Sequence, residues 1–245
     1  MLTLLPVEGI PEVHSGDDLG SLLADAVARA GGLEDGDVVA VAQKVVSKAE
    51  GKVVRLADVE PSAFARAHAG AERDARLTEV VLREAVRIVR MRPGLIIAET
   101  RHGFVCAGAG VDASNASEAG SVVLLPDDPD ASAARLRTAL EERFRVRVGV
   151  VVTDTFGRAW REGIVNVAIG VAGIAPLLDL RGRTDGNGYE LHATVIAVAD
   201  EIAAAAELVM GKTRAVPAAV VRGLDVLGEG SARDLVMSPE RDLFR

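Results

Sequence analysis

Cysteine is almost missing from this chain: Cys106 stands alone among 245 residues. An internal disulfide framework is therefore excluded, and a solitary thiol is what a reducing compartment permits, so the cytoplasm is the expected location. Positive charge is also in deficit. There are 28 Lys and Arg against 36 Asp and Glu, a formal net charge of −8, which argues against broad contact with nucleic acid because that affinity comes from basic side chains neutralising phosphates. Any bound phosphate should sit in a local pocket. Long apolar runs are absent as well. The first six residues are apolar, but Pro6, Glu8 and Pro11 interrupt them before a signal sequence or membrane span could be completed, so no membrane association is expected. The histidines His14, His68, His102 and His192 lie too far apart for metal-ligand spacing and read as scattered surface residues. No internal repeat, low-complexity tract or clear linker is visible. The sequon-like Asn115-Ala116-Ser117 carries no glycosylation meaning in such a compartment.

What is present suits a folded enzyme. With 49% hydrophobic and 26% charged residues, the chain can bury a substantial core as one large domain or two small ones. Residues 19–27 carry helical apolar spacing, with Asp17 or Asp18 as N-cap and Gly31-Gly32 behind. Residues 38–42 read as a buried strand and Val53-Val54 as the start of another, leaving 43–50 as a short loop between them. Helical spacing returns over 77–89 and is stopped by Pro93-Gly94. Residues 95–99 and 104–107 suggest a hairpin across Arg101-His102-Gly103, and 122–125 a short strand. Pro129-Asp130 opens a helix to about residue 144, with Asp130 as its cap. The β-branched run 146–152 ends at Thr153-Asp154-Thr155, and the Gly-rich apolar stretch 165–180 reads as strands. A last helix spans about 194–210 with Gly211 as C-cap, before a strand at 218–221. Strands and helices mix without βαβ alternation, which predicts an α+β fold with a large mixed sheet and flanking helices.

Two phosphate motifs fail on context. Gly211-Lys212-Thr213 resembles the end of a P-loop, but Ala206 stands where that loop needs glycine and a helix rather than a strand precedes it. Gly108-x-Gly110-x-x-Ala113 begins a dinucleotide fingerprint, yet a polar loop follows where a helix is required. Cys106 has no His-paired context and reads as a buried small hydrophobe. The acidic run Asp127-Asp128-x-Asp130 is explained by the helix start.

A constellation remains. Asp112, in Gly110-Val111-Asp112-Ala113-Ser114-Asn115, and Asp154, in Thr153-Asp154-Thr155-x-Gly157-Arg158, both sit where strands are expected to give way to polar loops, the oxygen-rich chemistry that hard divalent cations prefer. Taken singly, either is as well explained as a turn residue bonding its own backbone. Arg158 and Arg161 follow Asp154 closely, and Lys48 and Glu50 lie in Ser47-Lys48-Ala49-Glu50-Gly51. Cations beside metal-binding carboxylates suit a site that handles phosphate or carboxylate groups, with a solvated surface cluster as the bland alternative. Composition and spacing alone support a metal and phosphate site.

These segments, with Leu5-Pro6-Val7-Glu8-Gly9-Ile10-Pro11, Val198-Ala199-Asp200-Glu201-Ile202-Ala203 and Val220-Val221-Arg222-Gly223, resemble the coenzyme F-420:L-glutamate ligase family, in order, from the N-terminus to about Ser231. The resemblance implies a single γ-glutamyl ligase domain over residues 1–245, in one body or two subdomains, stand-alone or as the N-terminal part of a ligase–reductase fusion. It implies an intertwined homodimer that uses GTP and magnesium or manganese, with potassium as a monovalent activator. The activity implied is attachment of L-glutamate to the lactyl phosphate form of the deazaflavin coenzyme, followed by extension of a γ-linked glutamate tail. Carried over by matching motif, Asp112, Asp154, Thr155 and Gly211 would hold metal. Ile10, Pro11, Glu12, Val13, Lys48, Asn115, Val209, Met210, Gly211 and Lys212 would hold GTP. Gln43 stands where a Ser often contacts nucleotide, Asn187 replaces a frequent Tyr, and the turn after Gly211 is shorter than in some relatives.

A carboxylate and an amine do not condense unaided in water. The implied route has the coenzyme's carboxylate attack the γ-phosphorus to give an acyl phosphate that the glutamate amine displaces, with Arg158 or Lys48 facing the equatorial oxygens and Glu50 a candidate proton acceptor. The alternative from another class is a nucleotide-binding sensor or scaffold on the same fold, and an oxidoreductase is a weaker one.

Overall fold

The structure is a computed structural model, and it describes residues 1–70, 73–113 and 120–243. The chain runs β1 (Thr3–Val7), α1 (Leu19–Arg29), β2 (Val38–Ala42), α2 (Gln43–Ala49), β3 (Val53–Arg55), α3 (Ala63–His68), α4 (Ala75–Glu84), β4 (Ala85–Arg92), β5 (Leu95–Thr100) and β6 (Val105–Ala107). It continues through β7 (Ser121–Val123), α5 (Pro129–Phe144), β8 (Gly149–Arg158), β9 (Arg161–Ala172), β10 (Leu178–Asp179), β11 (Val195–Ile196), α6 (Val198–Met210) and β12 (Ala218–Arg222). The fold is the α+β arrangement that the mixed pattern predicts.

Its frame is a five-stranded sheet ordered β1-β12-β2-β8-β9, with β2 and β8 parallel and the other neighbours antiparallel. Both faces are covered, which is why the central strands read as continuous apolar runs rather than alternating ones. Val39, Val41, Val150 and Val152 face one layer with Leu23 and Val27 of α1 and Leu136 and Leu140 of α5. Val38, Ala40, Val151 and Ala168 face the other, against Ile202, Ala203 and Ala206 of α6. Between β2 and β8 the chain builds a smaller layer: β3 pairs with β7, and β4, β5 and β6 form a meander on which Val81 of α4 packs.

Local signals place most boundaries. Asp18 caps α1 through its carboxylate and the Ser21 N–H, 3.1 Å. The cap of α5 is Asp128 rather than Asp130: its carboxylate accepts from the Ala131 N–H, while Pro129 occupies the first turn, where no N–H is needed. Asp130 instead points out of the helix start and accepts from the Val171 N–H at 2.7 Å, the Ala232 N–H at 3.0 Å and the Ser231 hydroxyl at 2.6 Å. It ties α5 to β9 and to the turn at 231–234. Gly170 allows this approach, since a Cβ there would run into the Pro129 carbonyl.

Three expectations are corrected. The last helix starts at Val198 rather than about 194, because Val195–Ile196 pairs as a strand with β10. The helix predicted over 77–89 ends at Glu84, and Ala85–Arg92 is a strand. The pairing of Ile88 with Ala98 and of Met91 with Ile96 overrides the local helical spacing, as β-branched Val86, Ile88 and Val89 favour. Residues 43–49, expected as a loop, form the two-turn helix α2, capped by the Val46 carbonyl accepting from the Glu50 N–H at 3.0 Å.

Candidate active site

The part of β8 that runs on beyond the end of β2, and the bridge at Asp112, carry the predicted metal residues. Asp154 lies within β8, paired with Val167 of β9, rather than in a loop beyond a strand end as the sequence suggested. The strand outlasts its apolar run because β9 continues to pair with it as far as Arg161. Asp112 follows a tight turn at 108–110 and is held by a bridge to Val123, with N–H···O distances of 2.9 and 2.8 Å.

Two carboxylates, Asp112 and Asp154, meet the Lys44 ammonium here, with the Lys212 charge near enough to act on Asp154. The Lys44 Nζ lies 2.8 Å from Asp112 Oδ2. Burial first, and the charge of Asp112 second among the raising effects, push the Asp154 carboxyl up to about 6 against the pull of the Thr155 N–H, Lys212 and Lys44. A carboxylate that is costly to ionise beside another carboxylate is a ready partner for a hard dication. Among the described residues, no group of three or more His, Cys, Asp and Glu side chains could hold a metal. An acidic pair alone suits magnesium or manganese, which takes one or two protein carboxylates and fills its shell with phosphate oxygens and water.

Strand alternation divides the predicted metal set. Val152, Phe156 and Val167 pack on the α1/α5 side and Val151 and Ala168 on the α6 side, so Asp154 leaves β8 toward the first layer and Thr155 toward the second. Asp112, Asp154 and Lys44 form one cluster. Thr155 belongs to another: its hydroxyl donates to Asn166 Oδ1 at 2.6 Å and accepts from Lys212 Nζ. Lys212 also lies 3.6 Å from Glu207 Oε1 and 3.3 Å from Asn166 Oδ1. Gly211 closes α6 at φ +65°, a left-handed value that favours glycine, and starts the turn that swings Lys212 back over Thr155. Met210 is core, so only its backbone is available to a ligand.

The other predicted nucleotide residues gather around α2. Lys48, buried, reaches Glu12 Oε1 at 2.6 Å, joining the loop at 10–13 to the helix. Val13 is in the core and Ile10 packs against it, while Pro11 and Glu12 are exposed. Because 43–49 is helical, Lys44 and Lys48 lie one turn apart on one face, a relation that a loop would not impose. Gln43 is turned inward: its Nε2 donates to Ser47 Oγ at 2.6 Å and the Leu124 carbonyl at 2.7 Å, and its Oε1 is buried without a partner. Asn115 lies outside the described residues.

Three further residues sit elsewhere than proximity in sequence implied. Arg158, four residues past Asp154 and so about 13 Å along an extended strand, donates to the Glu162 carbonyl at the hairpin end. Arg161, at the start of β9, is exposed. Glu50 accepts from Ser132 and Arg135 of α5, which makes it a tie between helices. His102 is also less superficial than expected, donating from Nε2 to the Pro126 carbonyl at 2.9 Å. Cys106 is buried, as expected; burial, then the charge of Asp154, push its thiol up to about 12, which keeps it protonated and non-nucleophilic. Sequence reading missed Lys44, Asn166 and Glu207. The available signals were the four-residue spacing of Lys44 from Lys48 and a lone Asn in an apolar strand.

Among the described residues no helix is long and apolar enough to cross a membrane. The family model for F420-0:gamma-glutamyl ligase matches residues 9–223. Proteins named coenzyme F420:L-glutamate ligase are similar over nearly their whole length. That of Methanopyrus kandleri is 48% identical, covering 100% of this chain and 99% of its own. That of Archaeoglobus fulgidus is 45% identical, covering 99% and 96%. That of Methanothermobacter thermautotrophicus is 42% identical, covering 100% and 99%. With a family model spanning most of the chain and relatives aligned from end to end, the protein belongs to the F420-0:gamma-glutamyl ligase family and is an amide-bond-forming ligase of coenzyme F420 biosynthesis.

Proposed function

We propose that this ligase uses GTP to activate the terminal carboxylate of the deazaflavin precursor and joins L-glutamate to it, first on the lactyl phosphate form and then on the growing γ-linked tail. The observation that carries the reading is the Asp112–Asp154 pair with Lys44, 2.8 Å from Asp112, on the same helix as Lys48. Carboxylates and ammonium groups in this alternation can hold a polyphosphate through a shared dication while matching its remaining charge. Lys48 and the loop at 10–13 would hold the nucleotide, and Lys44 would meet the transferred phosphoryl group.

The acceptor carboxylate attacks the γ-phosphorus and GDP leaves. The glutamate amine then attacks the acyl carbon and inorganic phosphate leaves, with the surplus amine proton passing to water. A magnesium or manganese ion held by Asp112 and Asp154 would disperse charge on the phosphate oxygens, and Thr155 with the Gly211 carbonyl, on the other face of β8, would face a separate cation. Potassium would serve as a monovalent activator. The chain's residues supply position and charge: α2 aligns two cations, and the bridge of Asp112 to Val123 fixes one carboxylate.

The working form is a homodimer, a reading supported by Trp160 and Ile164, which are 81% and 63% exposed at the end of the β8–β9 hairpin. The test is turnover of GTP with and without the deazaflavin acceptor and glutamate, with products read by mass spectrometry. GDP formation coupled to a mass increase of one glutamate residue is expected. Nucleotide binding without either product would leave a binding protein on this fold.

A further inference from the structure

Asn166 is 3% exposed in a strand whose other buried residues, Ala168, Ile169, Gly170, Val171 and Ala172, carry no polar side chain. A buried amide in such a place needs partners for two donors and an acceptor oxygen. It has them: Oδ1 accepts from the Thr155 hydroxyl at 2.6 Å and from Lys212 Nζ at 3.3 Å. Nδ2 donates to Glu207 Oε2 at 2.9 Å, and Thr153 Oγ1 lies 3.4 Å away. One side chain thus joins β8, α6 and the turn that follows α6.

The partners also fix which end of the amide is which. An ionised Glu207 can only accept and Lys212 can only donate. Rotating the amide by half a turn would set its oxygen against a carboxylate and its NH2 against an ammonium. Its orientation is therefore determined by the two charges, and so is that of the Thr155 hydroxyl, whose single proton must go to Asn166 Oδ1. The remaining face of Thr155 Oγ1 then carries lone pairs only. Lys212 Nζ sits on that face, as a group with no acceptor must.

We propose that Asn166 is a positioning residue: oriented by Glu207, it accepts the Thr155 hydroxyl's hydrogen bond and so presents the Thr155 oxygen as a pure acceptor to a cation, the Lys212 ammonium in this structure and the metal when it is bound. The proposal rests on the reading of Thr155 as a metal ligand. Outer-shell partners of metal ligands typically change affinity by about 10–100-fold when removed.

The test titrates manganese(II) alone, followed by electron paramagnetic resonance, into the wild type and into Thr155→Val, Asn166→Ala and the double variant Asn166→Asp with Glu207→Gln. Melting curves accompany each titration. Asn166→Ala removes the acceptor for the Thr155 hydroxyl, so manganese affinity should fall about tenfold or more. In the double variant the Gln amide donates where Asn166 once did, the new carboxylate again accepts from Thr155, and affinity should return to within about threefold of wild type, within the range of a weak pair.

No difference between Thr155→Val and wild type, including no binding by either, overturns the ligand reading and this inference with it. Loss in Thr155→Val but none in Asn166→Ala, or a double variant that binds no more tightly than Asn166→Ala, overturns the inference alone. If Asn166→Ala does not fold, the double variant decides: manganese affinity within about threefold of wild type supports the positioning role, and a loss of about tenfold or more refutes it.

Discussion

Asp154→Asn should move stability and activity in opposite directions. The substitution keeps the shape of the side chain and removes a charge that the folded protein accommodates poorly. In the metal-free protein, burial and the Asp112 charge raise this carboxyl from 3.8 to about 6. A raised acid means that between about pH 4 and 6 the folded state holds a proton that the unfolded chain has released. Stability therefore falls as pH rises through that window, and the full penalty applies above it. The rise corresponds to ~3 kcal/mol, and because the side chain is half-buried, solvent reduces this to ~1–2 kcal/mol. Asn avoids that cost. At pH 8 with chelator present, Asp154→Asn should melt ~2–8 °C above wild type. Ligase activity at saturating metal should nonetheless fall more than tenfold, since a neutral amide is a poor ligand for a hard cation and even ~1.4 kcal/mol of lost transition-state stabilisation is a factor of ten. Calorimetric melting and initial rates on one preparation suffice. A variant that melts no higher than wild type would refute the electrostatic account of the site. One that retains more than about a tenth of wild-type turnover would remove Asp154 from the metal.

Three further outcomes follow from particular contacts. Lys48→Ala should weaken GTP binding by at least about tenfold in calorimetry, because a compact ammonium matches phosphate. Its partner Glu12 is 59% exposed, so the lost pair itself costs only ~0.2–1 kcal/mol; unchanged GTP affinity would leave Lys48 as a tie to Glu12. Cys106→Ala should leave turnover intact and cost ~1 kcal/mol of packing, whereas loss of activity in a well-folded variant would reopen a nucleophilic mechanism. His102 is lowered by burial and then by the charge of Arg101, and its buried Nδ1 has no partner. Below its unfolded value of 6.5 the free chain gains a proton that the folded one refuses, so stability should fall as pH drops from 7 toward 5. His102→Gln, which keeps a donor for the Pro126 carbonyl, should flatten that fall in urea midpoints, and identical pH dependence in both proteins would refute the assignment.

Local chemistry carried much of this molecule. Apolar runs and end signals at α1, β2, α5, α6 and β12 were legible because each rests on a cap, a glycine or a continuous buried strand that needs no knowledge of its neighbours. The motifs around Asp112 and Asp154 were legible for the same reason, as short polar segments set against apolar ones. What the sequence could not determine depended on pairing across long separations. Whether 85–92 is helix or strand was decided by β5, and the continuation of β8 through Asp154 by β9. Whether 43–49 is loop or helix decided that Lys44 joins Lys48 on one face. The same pairing put Asp154 and Thr155 on opposite faces of one strand, and set Asn166 opposite Thr155. Spacing along a chain reports which residues are near in sequence; only the register between strands fixes which side of a sheet each one faces.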